Sequence, residues 1–443
     1  MRPALLLLVL LPACSGGLSQ EELKDPAQCQ SCHGEIYRQW SGSMHAYAGE
    51  DPVFLAMNAL GQKETQGALG DFCIKCHAPL ALAAGLTHDG QNLKDVDKKL
   101  RGVTCYFCHQ IDAVTGTHNA GLKLVEDGVM RAGISDPFPA GAHASKYSRL
   151  HDREQLDSSS MCGACHDVVT PSGLALERGF DEWKGTLFAD PANKEHLSCG
   201  SCHMPGHDGL VATQPVGAPI RRVKSHMWPA VDTALIDFPE RETQKAAVQA
   251  ELDTAIQAFM CIVPTSTGAN VQVDLENIAA GHGFPSGAAL DRRVFLELKA
   301  YFGERLIYET GSRALGEVIT STRDPDLWLF RDQVFDAQDR EVHQFWQGAR
   351  SEPFVLPGPV TRDPMDPRYA ITHKRKTFAI PRLPNRVTMR VRVQPLARET
   401  LEALVKEGFL DPAVADSVPI FDLGTTVLEW KADRDDFCVP KRT

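Results

Sequence analysis

The chain has 443 residues, 43% apolar and 23% charged, a composition that excludes wholesale disorder and leaves room for two or three domains. Asp and Glu outnumber Lys and Arg by 57 to 46, a net charge of −11, which argues against nucleic acid as a partner because that would need a basic footprint. No apolar run reaches the roughly 18 residues that span a bilayer.

Residues 1–14 read as an export signal. Met1-Arg2 is a minimal charged start, Ala4 to Leu11 is apolar, and Leu11-Pro12-Ala13-Cys14 precedes Ser15-Gly16-Gly17. One reading is a secretory signal cut after a small residue. The other is a lipobox, with a lipid anchor on Cys14. Both place the mature chain outside the cytoplasm, in the periplasm or at the outer membrane, where disulfides persist.

From Cys29 onward one word, C-x-x-C-H, occurs five times: Cys29/Cys32/His33, Cys73/Cys76/His77, Cys105/Cys108/His109, Cys162/Cys165/His166 and Cys199/Cys202/His203. Composition alone gives on the order of 0.01 copies of this haem-attachment word. Two thiols three positions apart form thioethers to one edge of a haem, and the next residue places its imidazole on the iron. Zinc would need pairs combined in fours, and disulfides would need no histidine. The motifs therefore imply five covalently bound c-type haems. Their first cysteines are separated by 44, 32, 57 and 37 residues, so no repeat array is present.

Sixteen histidines less five in the motifs leaves eleven, enough for a distal ligand on every iron. His45 lies twelve residues after His33. If Gly34 to Ala48 is one helix, that is about 18 Å along its axis. The two axial nitrogens of one iron are only about 4 Å apart, so His45 is expected to serve another haem. His207 shares a helix face with His203 and is set aside.

The segment from residue 27 to 228 resembles the cytochrome c-554 family of multihaem cytochromes. The matching features are Cys29 to His33 followed by Tyr37, Trp40, Ser43 and His45; Gly102-Val103-Thr104 before Cys105; Cys162 to His166 with Asp167; Phe180-Asp181-Glu182-Trp183-Lys184; and Cys199 to His203 with Met204-Pro205. The resemblance implies that His45 is a distal ligand, with His143 and His226 as two more; His118 is counted with them. It also implies that one haem can keep an open axial position, without saying which. Trp40 and Trp183 are expected to pack against porphyrin faces.

After His203 the pattern changes. Pro239 to Met260 has helical spacing at Val248, Leu252, Ile256 and Phe259. From about Asn270 the period becomes two, as in Val271/Val273/Leu275, Val294/Leu296/Leu298 and Val387/Met389/Val391, with one helix near Arg398 to Gly408. The expected fold is a haem-packed, mainly α N-terminal domain with little regular structure, plus a C-terminal all-β sandwich. The expected boundaries are 1–14 signal, 15–235 pentahaem domain, 236–268 linker helix and 269–443 sandwich. Gly281-His282-Gly283-Phe284-Pro285-Ser286-Gly287 is similar to a signature of sandwich domains appended to multihaem cytochromes, and His282 joins the candidate ligands. Cys261 and Cys438 remain and are expected to pair.

These readings point to an exported pentahaem carrier that passes electrons between redox proteins, either cytochromes or quinol-linked membrane complexes. The alternative is a reductase or dehydrogenase of a small nitrogen or sulfur compound at one open haem.

Overall fold

The computed structural model describes residues 17–138 and 141–440. The export signal and Cys14 lie outside the described residues. No helix among those described is long and apolar enough to cross a membrane.

The N-terminal half is built from short helices. Four of the five motifs close helices of four to eight residues, Ile74–His77, Cys105–His109, Ser159–His166 and Cys199–His203. The expected single helix after His33 is two, Gly34–Ser41 and Met44–Tyr47, broken at Gly42-Ser43, where Ser43 caps the second by accepting from Ala46 N–H. The longest helix here, Pro52–Glu64, starts at Asp51, whose carboxylate accepts from Val53 N–H at 2.9 Å.

The C-terminal half is an antiparallel sandwich. Its strands are β1 (Ile256–Pro264), β2 (Ala269–Asn277), β3 (Arg293–Phe302), β4 (Arg305–Thr310), β5 (Leu329–Phe335), β6 (Glu341–Val342), β7 (Arg350–Phe354), β8 (His373–Ile380), β9 (Arg386–Gln394), β10 (Phe421–Asp422), β11 (Leu428–Lys431) and β12 (Cys438–Val439). One sheet runs β8-β2-β1-β12. The other runs β6-β5-β3-β9-β10, with β4, β7 and β11 added to β3, β5 and β9. Alternate residues of both sheets fill one core, including Ile262, Val273, Leu296 and Val391. Val248 and Leu252 of helix Arg241–Ala255 close it.

That helix ends at Ala255, and β1 begins at once, so the first strand falls inside the stretch expected to be a linker helix. Ile256 fits both periods, but Ile256, Ala258, Met260 and Ile262 are buried in alternation, which only a strand can arrange. Cys261 faces Cys438 across β1 and β12, and the two form a disulfide.

Among the contacts between the halves, two bear on the site. Helix Arg398–Lys406, inserted into the sandwich sequence, packs Leu401 and Leu404 on Val53, Ala56 and Leu60 of Pro52–Glu64. The Gly281–Gly287 loop lies against the helix Gly179–Lys184, where Gly283 N–H donates to Glu182 Oε2 at 2.9 Å.

Candidate functional site

In each motif helix the two thiols, at i and i+3, share one face and the histidine follows. Thr104 and Ser198 hold two of these helices by accepting from Phe107 N–H and Ser201 N–H. None of the ten motif cysteines is in a disulfide, and all ten, with the five motif histidines, line a single cavity of about 1650 Å³. Ordinary small-molecule pockets hold roughly 300–1,000 Å³.

Four motif histidines use Nδ1–H to donate to a backbone carbonyl: His33 to Val211 at 2.7 Å, His77 to Ala48 at 3.2 Å, His109 to Arg131 at 2.5 Å and His203 to Pro229 at 2.8 Å. This fixes the tautomer and leaves Nε2 free as a metal ligand. Burial depresses the basicity of His33, His77 and His109, to about 4 at His77 and about 3 at His109, so these imidazoles are neutral, as a ligand must be.

Five of the eleven other histidines line the same cavity: His45, His143, His151, His226 and His282. Two imidazoles ligating one iron at about 2.0 Å have ring centroids roughly 6 Å apart. Three pairs meet that distance. His33 and His143 lie 6.2 Å apart, His166 and His45 6.1 Å, and His203 and His282 6.4 Å.

His109 has two neighbours. The ring of His151 is 5.7 Å away, but its Nε2 is bonded to the Cys108 carbonyl at 2.8 Å, on the attachment side. His226, whose charge also acts on His109, donates Nδ1–H to Lys224 O at 2.9 Å and so presents Nε2 as the motif histidines do. Trp228 sets its ring edge-on to both His45 and His226, at 4.6 and 5.0 Å.

Among the described residues, no imidazole lies within ring-contact range of His77. Its ring is stacked flat on Phe54 at 3.9 Å and 2°, too close for a porphyrin to lie between them, so Phe54 braces the side of the imidazole.

His118 is a correction to the sequence reading. It sits exposed on the turn between the strands Ile111–Val114 and Leu122–Leu124, away from the cavity. His151, which the sequence reading passed over, is in the cavity instead. Nothing in the run Leu150-His151-Asp152 marks it, since it lies in an isolated turn with no spacing to a motif. Trp40 lines the cavity and donates to Val103 O, whereas Trp183 packs with Phe180, Leu187 and Phe188 outside it.

Gly102 explains the Gly102-Val103-Thr104 element. Its φ is +74°, and a Cβ there would lie 2.7 Å from the backbone oxygens of His45 and Ala46. The loop before Cys105 thereby buttresses the turn carrying His45, and Val103 N–H donates to His45 O at 2.8 Å.

Cysteine pairs outside any disulfide, imidazoles with Nε2 left free and one large shared cavity fit covalently held haem. Five attachment motifs around one cavity, joined to a β domain, are the arrangement that c-type haem attachment requires. Residues 28–110 match the family model described as cytochrome c554 and c-prime. The chain is also similar to a solved penta-heme cytochrome c552 from Thermochromatium tepidum, with a TM-score of 0.61 and 19% identity over 95% of this chain and 100% of that one. No curated protein matches.

Proposed function

We propose that the chain is an exported pentahaem cytochrome that conducts electrons between redox partners, with His33, His77, His109, His166 and His203 as proximal ligands. His143, His226, His45 and His282 complete the irons of the first, third, fourth and fifth motifs. The observation that carries this reading is the single cavity lined by all five motifs, which supports haems packed close to one another. Acidic charge, increased by haem propionates, suits docking to a basic face of a partner cytochrome or membrane complex. A lipid on Cys14 would hold the mature protein at a membrane surface.

A second reading is favoured by His77, whose iron is left without a facing imidazole. An open iron of that kind supports reduction of a small nitrogen or sulfur compound. Two measurements test the proposal. Intact mass is expected to exceed the processed chain by five haem masses. The oxidised protein's EPR spectrum is expected to show low-spin signals with one high-spin ferric haem. Four haem masses would refute the pentahaem reading, and a wholly low-spin spectrum would refute the open iron.

A further inference from the structure

Close to the second motif the cavity wall carries a carboxylate that the electron-carrier reading does not use. Glu177 lies on the strand Ala175–Arg178, half-buried, with its side chain lining the cavity. Its charge acts on the Cys76 thiol, one of the two anchors of the His77 haem. The groups that face it are Arg292, Asp232, Asp167 and Cys76. Arg292 is the only cation among them, and it is already committed. Its guanidinium forms a two-pronged pair with Asp232 at 2.5 and 2.6 Å and donates to Pro395 O at 2.7 Å. The Gly281–Gly287 loop shuts the other side, since a Cβ on Gly287 would lie 3.5 Å from Arg292 and 4.0 Å from Glu177. Glu177 thus faces the cavity half-buried, and among the described residues no side-chain hydrogen bond stabilises its charged form.

We propose that Glu177 takes up the proton that accompanies each electron onto the haem anchored by Cys73 and Cys76. The inference rests on the pentahaem reading above. In balance, ferric iron accepts one electron from a neighbouring haem and becomes ferrous, while the Glu177 carboxylate accepts one proton from water and becomes a carboxylic acid. On oxidation both leave, and only the O–H bond forms and breaks. The physical cause is Coulombic: one less positive charge on the iron makes a nearby carboxylate more basic, and low dielectric strengthens the effect. Burial already raises Glu177 to about 7, against a pull downward by Arg292, so the window of coupling brackets neutral pH. The sign follows. As pH rises through that window the proton is less available and the reduced state is disfavoured, so the potential falls.

The test is potentiometric titration of the holoprotein, followed by EPR, across about pH 5 to 9. In the wild type, one haem couple is expected to shift with a slope approaching about 59 mV per pH unit, the one-electron equivalent of a tenfold change in proton activity. Glu177→Gln is expected to abolish that slope with five haems retained, and Glu177→Asp to keep part of it. A wild type whose five potentials are all independent of pH overturns the proposal without any variant, as does a Glu177→Gln protein with its slope intact. A wholly low-spin protein that loses one slope in Glu177→Gln would sink the open-iron reading and leave this one standing.

Discussion

At the scale of single residues, the direction of a ring nitrogen decides what ring proximity does not. His151 is nearer to His109 than any facing partner is to its proximal ligand, yet its Nε2 is bonded to Cys108 O. His226 has the wiring of an iron ligand, with Nδ1–H on a carbonyl. His226→Ala is therefore expected to turn one low-spin haem high-spin and raise its potential, because a strong imidazole donor is lost. His151→Ala is expected to leave the low-spin count unchanged. EPR of the two variants separates them, and the reverse pattern would transfer the ligand role to His151. His45, His143 and His226 were singled out by the family resemblance and His282 by its Gly/Phe/Pro loop, and all four line the cavity. His118 and His151 were not legible in the sequence, because the number of histidines says nothing about which of two isolated ones faces a cavity and which faces solvent.

At the scale of elements, a loop of the sandwich supplies a side chain to the other half. His282 reaches the cavity because Phe284, two residues on, is 8% exposed in the sandwich core and bridges to Leu356. Asn277 adds donations to His282 O at 2.7 Å and to Leu356 O at 3.1 Å. Phe284→Ala removes the anchor and leaves a cavity, at a cost of about 3–5 kcal/mol. The expected outcome is a lower unfolding midpoint together with loss of one low-spin signal, that of the His203 haem. A drop in stability with the low-spin signals intact would show that the loop is held by Asn277 and Glu182 without Phe284. The strands of the sandwich were readable from period-two alternation, and the inserted helix near Arg398 from its spacing. The boundary at Ala255 was not, since Val248, Leu252, Ile256 and Phe259 keep a helical interval while the burial pattern switches to alternation at Ile256. The docking of helix Arg398–Lys406 on Pro52–Glu64 was also invisible, because an apolar helix face does not name its partner.

For the whole molecule, the two halves differ in what makes them fold. The sandwich has a continuous core of aliphatic and aromatic side chains and needs no added group. The N-terminal half surrounds a cavity of about 1650 Å³ with short helices. A space of that size, lined largely by apolar side chains, leaves this half with much less side-chain core of its own than the sandwich has. On the pentahaem reading haem supplies the rest of that core, and the half that binds it is expected to be loose without it. Expressed where haem is not attached, the chain is expected to have a protease-sensitive region ending near residue 240 and a resistant fragment beginning near helix Arg241–Ala255. Val248 and Leu252 of that helix are built into the sandwich core, so the cut should fall before it. Limited proteolysis with mass measurement of the fragments, run beside the haem-loaded protein, gives the answer. The loaded protein should resist throughout, since helix Arg398–Lys406 and the Gly281–Gly287 loop then have a rigid surface to dock on. Equal resistance of both halves without haem would mean that the N-terminal half closes its cavity by its own packing, and the volume argument would fail.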